Sequence, residues 1–173
     1  MKRDVNIVIA AIVILIIGFT ILTGVIAVAV FKDFIVGDDV HIREVLLNQF
    51  HNYSLSTNFY IATYLALYSL LNAAMVYILI LLKRGLTAIK KGEIFTDKQT
   101  REFRMGGNGL IVYALAKYAI SCFYGILEFH SPLVILKAFV PFLIVYLLGR
   151  VALIISHMTE KGEYLKKEND LTI

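Results

Sequence analysis

The chain has 173 residues, of which 59% are apolar and only 17% charged, with a net charge of +4. That balance excludes an ordinary soluble domain. The sole cysteine, Cys122, excludes an internal disulfide and a cysteine-based metal site, and reads as a small packing residue.

Four apolar runs follow one another at residues 7–31, 59–82, 110–129 and 133–155. A helix rises about 1.5 Å per residue and the hydrocarbon core is about 30 Å thick, so about 20 apolar residues suffice to cross it. Open strands cannot cross, because lipid offers no partner for backbone groups. The expected fold is therefore all-α: an integral membrane four-helix bundle with a short cytoplasmic helix and a tail, in a single transmembrane domain over residues 1–173.

The first run follows Lys2 and Arg3 and includes the A-x-A-like Ala27-Val28-Ala29, as a secretory signal can. Its length of about 25 residues exceeds the usual apolar core of about 7–15, so it reads as an uncleaved anchor. The loop at 32–58 is acidic at Asp33, Asp38, Asp39 and Glu44. Within it, Ile42, Val45, Leu46 and Phe50 suggest a short amphipathic helix at the membrane surface. Asp38, Asp39 and His41 are too few to hold a metal without further ligands. Asn52-Tyr53-Ser54 fits the glycosylation triplet, which is common by chance.

The loop at 83–109 carries seven basic residues: Lys83, Arg84, Lys90, Lys91, Lys98, Arg101 and Arg104. The second helix should extend through Leu86 and Ile89 and end near Gly92. Thr96-Asp97-Lys98-Gln99 fits a capping box, in which the Thr and Gln side chains satisfy free amides. A short helix should run from Asp97 to about Met105, and Gly106-Gly107-Asn108-Gly109 should stop it as a hinge or helix break. These glycines lack the Lys-Ser/Thr of a phosphate loop.

The last connection, His130-Ser131-Pro132, has no Lys or Arg, and it makes the third and fourth runs antiparallel neighbours. The tail, residues 156–173, carries Lys161, Lys166 and Lys167 yet finishes with the apolar Leu171 and Ile173. Lys/Arg excess marks the cytoplasmic side. Both termini and the 83–109 loop should therefore face the cytoplasm.

Inside the runs, polar groups recur at helical spacing: Tyr60, Tyr64, Tyr68 and Asn72; Tyr113, Lys117 and Ser121; Tyr146 and Arg150. Such stripes face the bundle interior and hydrogen-bond between helices. Lys117 lies about 10 Å and Arg150 about 8 Å from the inner ends of their runs. They are expected to lie close together and form an anionic-lipid or anion site. Lys137 is placed to reach Glu128.

Lys91-Gly92-Glu93-Ile94-Phe95-Thr96 before a helix, the terminal Glu168-Asn169-Asp170-Leu171-Thr172-Ile173 and the four-run layout resemble the bacterial membrane-protein family called domain of unknown function 2975. The resemblance covers nearly the whole chain and carries over no catalytic residue. Its members are often encoded beside a small helix-turn-helix regulator, which implies a membrane-side controller of transcription. The outer loop here is longer than that pattern suggests.

The expectation is a regulatory or interaction protein of the bacterial cytoplasmic membrane. Its loop and tail would bind a cytosolic partner such as a helix-turn-helix regulator through Lys98, Arg101, Phe103, Arg104, Leu171 and Ile173. The alternative is a small transporter or channel subunit acting as a homo-oligomer. No cluster has catalytic spacing, since His51 falls outside and His157 stands alone, so an enzyme is not expected. Membrane lipids are the other expected partners; nucleic acid contact, metal and cofactor are not expected.

Overall fold

The computed structural model describes residues 2–36, 58–91, 95–129 and 132–171, with side-chain surroundings for 3–28, 31, 63–91, 95–123 and 135–169. The expected surface helix at 41–50, the acidic turn at 38–41, the Asn52 triplet, Gly92 and the 130–131 turn lie outside them, as do Thr172 and Ile173 and the side chains of Glu128 and Leu171. Within the described residues the chain is four helices: α1 (Lys2–Val36), α2 (Asn58–Lys91), α3 (Asp97–Phe129) and α4 (Pro132–Leu171).

Three helices among the described residues are long and apolar enough to cross a membrane, within Arg3–Val28, Thr63–Lys91 and Ile135–Asn169. This makes the chain a membrane protein by length and composition. The described part of α3 is diluted by Gly106, Gly107, Asn108 and Lys117, and its apolar run continues past Phe123, where side chains are not described.

Each helix packs on its neighbour in sequence, and α3 on α4 is the most extensive contact. One apolar cluster draws on all four helices. Met75, Ile78 and Leu79 of α2 meet Leu110 and Tyr113 of α3, with Ile12, Ile16 and Phe19 of α1 and Val145 of α4 packed against them. Apart from this contact the described side chains of α1 are mostly exposed, and among them only Ile26 is buried, as suits a helix whose outer faces meet lipid.

The expected stop at Gly106–Gly109 is not there: α3 runs unbroken through these glycines. Gly106 and Gly109, three apart and so on one face, abut α2; added Cβ atoms would lie 2.6 Å from Leu82 Cδ2 and 2.7 Å from Ile78 Cγ1. Gly107, turned about 100° away, abuts α4. A Cβ there would lie 2.9 Å from the Gly149 carbonyl oxygen, and one on Gly149 would lie 2.9 Å from the Gly107 carbonyl oxygen. Glycine lets backbones approach where lipid supplies no hydrophobic drive between helices. The same residues that would punctuate a soluble helix are here the contact surface of a buried one.

These contacts fix antiparallel registers. Gly85 faces Phe103, Leu82 faces Gly106 and Ile78 faces Gly109, while Gly107 faces Gly149 and Ser156 faces Thr100. Aromatic packing continues the α3–α4 seam, with the Tyr118 and Phe142 ring centroids 4.9 Å apart.

Two opposed glycine substitutions test this packing. Gly107→Ala should gain about 1 kcal/mol of helix propensity but lose about 1–3 kcal/mol to overpacking against backbone that cannot move aside. A lower melting temperature in detergent is expected. Gly18 has no atom within 4 Å of an added Cβ, so Gly18→Ala should leave melting unchanged or raise it.

Candidate functional site

The basic end of the molecule, where α2 ends, α3 begins and α4 ends, holds most of the buried polar side chains. Gln99, Thr100, Glu102, Ser156, Thr159 and Glu163 are all buried there. α4 has 40 residues and is about 60 Å long, roughly twice the hydrocarbon thickness. It must extend well beyond any membrane it crosses, and its polar C-terminal part is the part that does so.

The start of α3 follows from its sequence. Thr96 caps it: its Oγ1 accepts from the Gln99 N–H at 3.3 Å, and its carbonyl accepts from the Thr100 N–H at 3.0 Å. The Gln99 side chain turns back, as in a capping box, but reaches one residue further than the Thr96 amide. Its Oε1 accepts from the Phe95 N–H at 3.1 Å, and its Nε2 donates to the Gly85 carbonyl at 3.4 Å. One side chain thus ties the cap to α2. Phe95 has φ 65°, a left-handed conformation that costs a non-glycine residue about 1–3 kcal/mol. Its ring lies directly on Gly162 of α4, and that contact, with the Gln99 bond, holds it there.

The tail, whose apolar end suggested docking on the inner loop or on a partner, continues α4 as helix to Leu171. The reason is spacing: Ser156, Thr159 and Glu163 recur every three or four residues and form one buried face. Ser156, fully buried, donates from Oγ to the Thr100 carbonyl at 2.9 Å. Arg104 and Glu160 form an ion pair at 2.7 Å, and Lys167 lies 2.7 Å from Glu163 and 3.9 Å from Asp97. The Arg104–Glu160 pair is half-exposed, so it fixes register more than it adds stability.

Of the expected docking residues, Lys98 and Arg101 are exposed, and Arg104 is partly spent on Glu160. Phe103 is not presented at all. It is 2% exposed, because Gly85 has no side chain and leaves room for its ring, 3.1 Å from the position of a Cβ there. What the surface presents instead is a stripe on the outer face of α4: Met158, Tyr164 and Leu165 are each more than 60% exposed, with His157 and Lys161 among them. The sequence held the signal, since 158, 161 and 165 follow helical spacing once the tail is read as helix.

The intramembrane cations do not share a partner. The Gly107–Gly149 register places Arg150 opposite the start of the glycine group, so its Cα is about 15 Å along the axis from that of Lys117. The expected shared depth assumed a symmetric hairpin, and the packing shifts it. Arg150 caps the Tyr146 ring at 5.6 Å. Lys117 lies 5.5 Å from the Tyr68 centroid and 5.7 Å from that of Tyr113, with Nζ 3.4 Å from the Tyr113 hydroxyl. Asn72, 1% exposed, has both side-chain polar atoms unpaired, as does the Thr100 hydroxyl. Each such atom costs about 1–3 kcal/mol. Lys137 is exposed. Among the described residues no group of three metal-ligating side chains comes together.

Gln99→Leu should remove both side-chain bonds of Gln99 and leave the Phe95 amide without its acceptor, costing about 1–3 kcal/mol. Hydrogen exchange at the Phe95 amide should quicken. Gln99→Glu, which keeps the acceptor, should protect that amide better than the leucine variant does.

Residues 42–173 match the family described as Protein of unknown function (DUF2975). No curated protein and no solved structure matches the chain. The chain belongs to that family.

Proposed function

We propose that this family member is a non-enzymatic regulatory protein of the bacterial cytoplasmic membrane, and that the protruding α3–α4 surface binds a cytosolic protein such as a helix-turn-helix regulator. The observation that carries this reading is the exposed stripe of Met158, Tyr164 and Leu165 on a helix held rigidly against α3. Large apolar side chains on a surface outside the membrane mark a protein-binding site. Lys161 lies within it, and Lys98, Arg101 and Lys166 are exposed at the same end of the molecule, so the partner's matching face carries acidic groups. The preformed helix pair favours binding, since little ordering remains to be done.

The arrangement carries four spans with both ends in the cytoplasm, on the Lys/Arg asymmetry of the loops. In a Cys122→Ser background, a reagent that cannot cross the membrane should label Asp38→Cys and not Lys98→Cys. The opposite pattern would invert the topology and remove the docking surface from the cytosol.

The docking itself is tested with a photo-crosslinking residue in place of Tyr164, in cells. A discrete adduct with one cytosolic protein is expected. Met158→Glu with Leu165→Glu should lower its yield about tenfold, equivalent to about 1.4 kcal/mol, while membrane insertion is unchanged. Deletion of residues 170–173 distinguishes a contribution from Leu171 and Ile173. An unchanged adduct in the double variant would count against this surface.

A further inference from the structure

We propose that Lys117, Tyr68, Tyr113 and Asn72 form a site for the phosphodiester of an anionic glycerophospholipid, with no part played by Arg150. It rests on the intramembrane geometry and is independent of the cytosolic docking surface.

The register set by Gly85–Phe103, Leu82–Gly106 and Ile78–Gly109 carries Lys117 of α3 to the level of Leu71 and Asn72 of α2. Asn72 lies one helical turn from Tyr68, on the same stripe, and the Lys117 ammonium faces the Tyr68 ring at 5.5 Å. Lys117, Tyr68 and Tyr113 therefore meet between α2 and α3, and the register puts Asn72 at their level. The ammonium has three donors, and its hydrogen-bonding partners are two neutral hydroxyls, Tyr113 at a long 3.4 Å and Tyr68. Its described partners are tyrosines, not a carboxylate, so the cluster carries an uncompensated positive charge. Asn72 adds an independent indication, a deeply buried amide whose nitrogen and oxygen have no partner. A phosphodiester has two free oxygens and one negative charge. One oxygen suits the ammonium, and the other suits the Asn72 amide N–H and a tyrosine hydroxyl.

The direction of approach identifies the source. Lys117 is only half-buried, on a helix within the apolar part of the chain, and its ammonium leans toward Tyr113, one turn nearer the basic end. A headgroup at the hydrocarbon boundary can reach it from the lipid side. A zwitterionic phosphatidylethanolamine would bring its own ammonium beside Lys117, whereas a net-anionic headgroup would not.

The test is native mass spectrometry of the full chain after exchange with vesicles of equal phosphatidylglycerol and phosphatidylethanolamine. Wild type, Arg150→Gln and Lys117→Arg should retain phosphatidylglycerol preferentially. Lys117→Gln and Asn72→Leu should lose about tenfold in that preference. Lys117→Arg keeps the charge, so its behaviour separates loss of binding from loss of folding. An unchanged preference in Lys117→Gln or Asn72→Leu, or an equal loss in Arg150→Gln, overturns the site. A parallel melting experiment in neutral detergent adds inorganic phosphate alone. No stabilisation is expected; stabilisation equal to that by phosphatidylglycerol would assign the site to a free anion and overturn the lipid.

Discussion

The rest of the structure depends on how closely α3 approaches the helices on either side of it. In lipid, association between helices relies on contact and not on exclusion of water, so what matters is how near two backbones can come. Gly106 and Gly109 bring α3 against Leu82 and Ile78, and Gly107 brings it against Gly149. The carbonyl oxygens at Gly107 and Gly149 leave no room for a methyl group on the opposite residue. Once these contacts form, both registers are set. Register then decides which side chains meet elsewhere: Phe103 over Gly85, Ser156 under Thr100, and Lys117 beside Tyr68 of α2.

The seam between α3 and α4 changes character along its length. In the apolar part it is made of glycine, leucine and rings, with Tyr118 against Phe142. Toward the basic end it is made of buried polar groups, with Ser156 bonded to the Thr100 backbone, while Gln99 beside it ties the start of α3 to Gly85 of α2. A dry polar seam is directional, because each hydrogen bond accepts one alignment and a shift by one turn would leave donors unpaired. The apolar half supplies closeness, and the polar half supplies uniqueness.

Much of this was legible in the sequence. The apolar runs announced helices, and Thr96 with Gln99 announced where α3 starts, because both signals are local. The glycine group was misread for the opposite reason. A glycine that ends a helix and one that lets a neighbour approach look the same in one dimension, and only Leu82, Ile78 and Gly149 distinguish them. The tail's helical continuation went unread because Lys161, Lys166 and Lys167 drew attention away from the spacing of Ser156, Thr159 and Glu163. The pairing of Lys117 with Arg150 relied on counting residues from the inner ends of two runs taken as level, which cannot see how packing shifts one helix along the other. Phe103 looked like a surface anchor because nothing in its own neighbourhood of sequence mentions Gly85.

α4 also has a mechanical consequence. It passes from its apolar half into its polar half as one continuous helix, and the polar half meets the start of α3 through Ser156, Glu160 and Lys167. Beyond Pro141 the helix has no further proline, and that part acts as a lever. From Ile155 to Leu171 it projects by about 24 Å, so a change in tilt of about 10°, well within the range bilayer thickness imposes, would swing its tip sideways by about 4 Å. The thickness of the membrane would thus be converted into the position of a surface far outside it, with no loop needing to move.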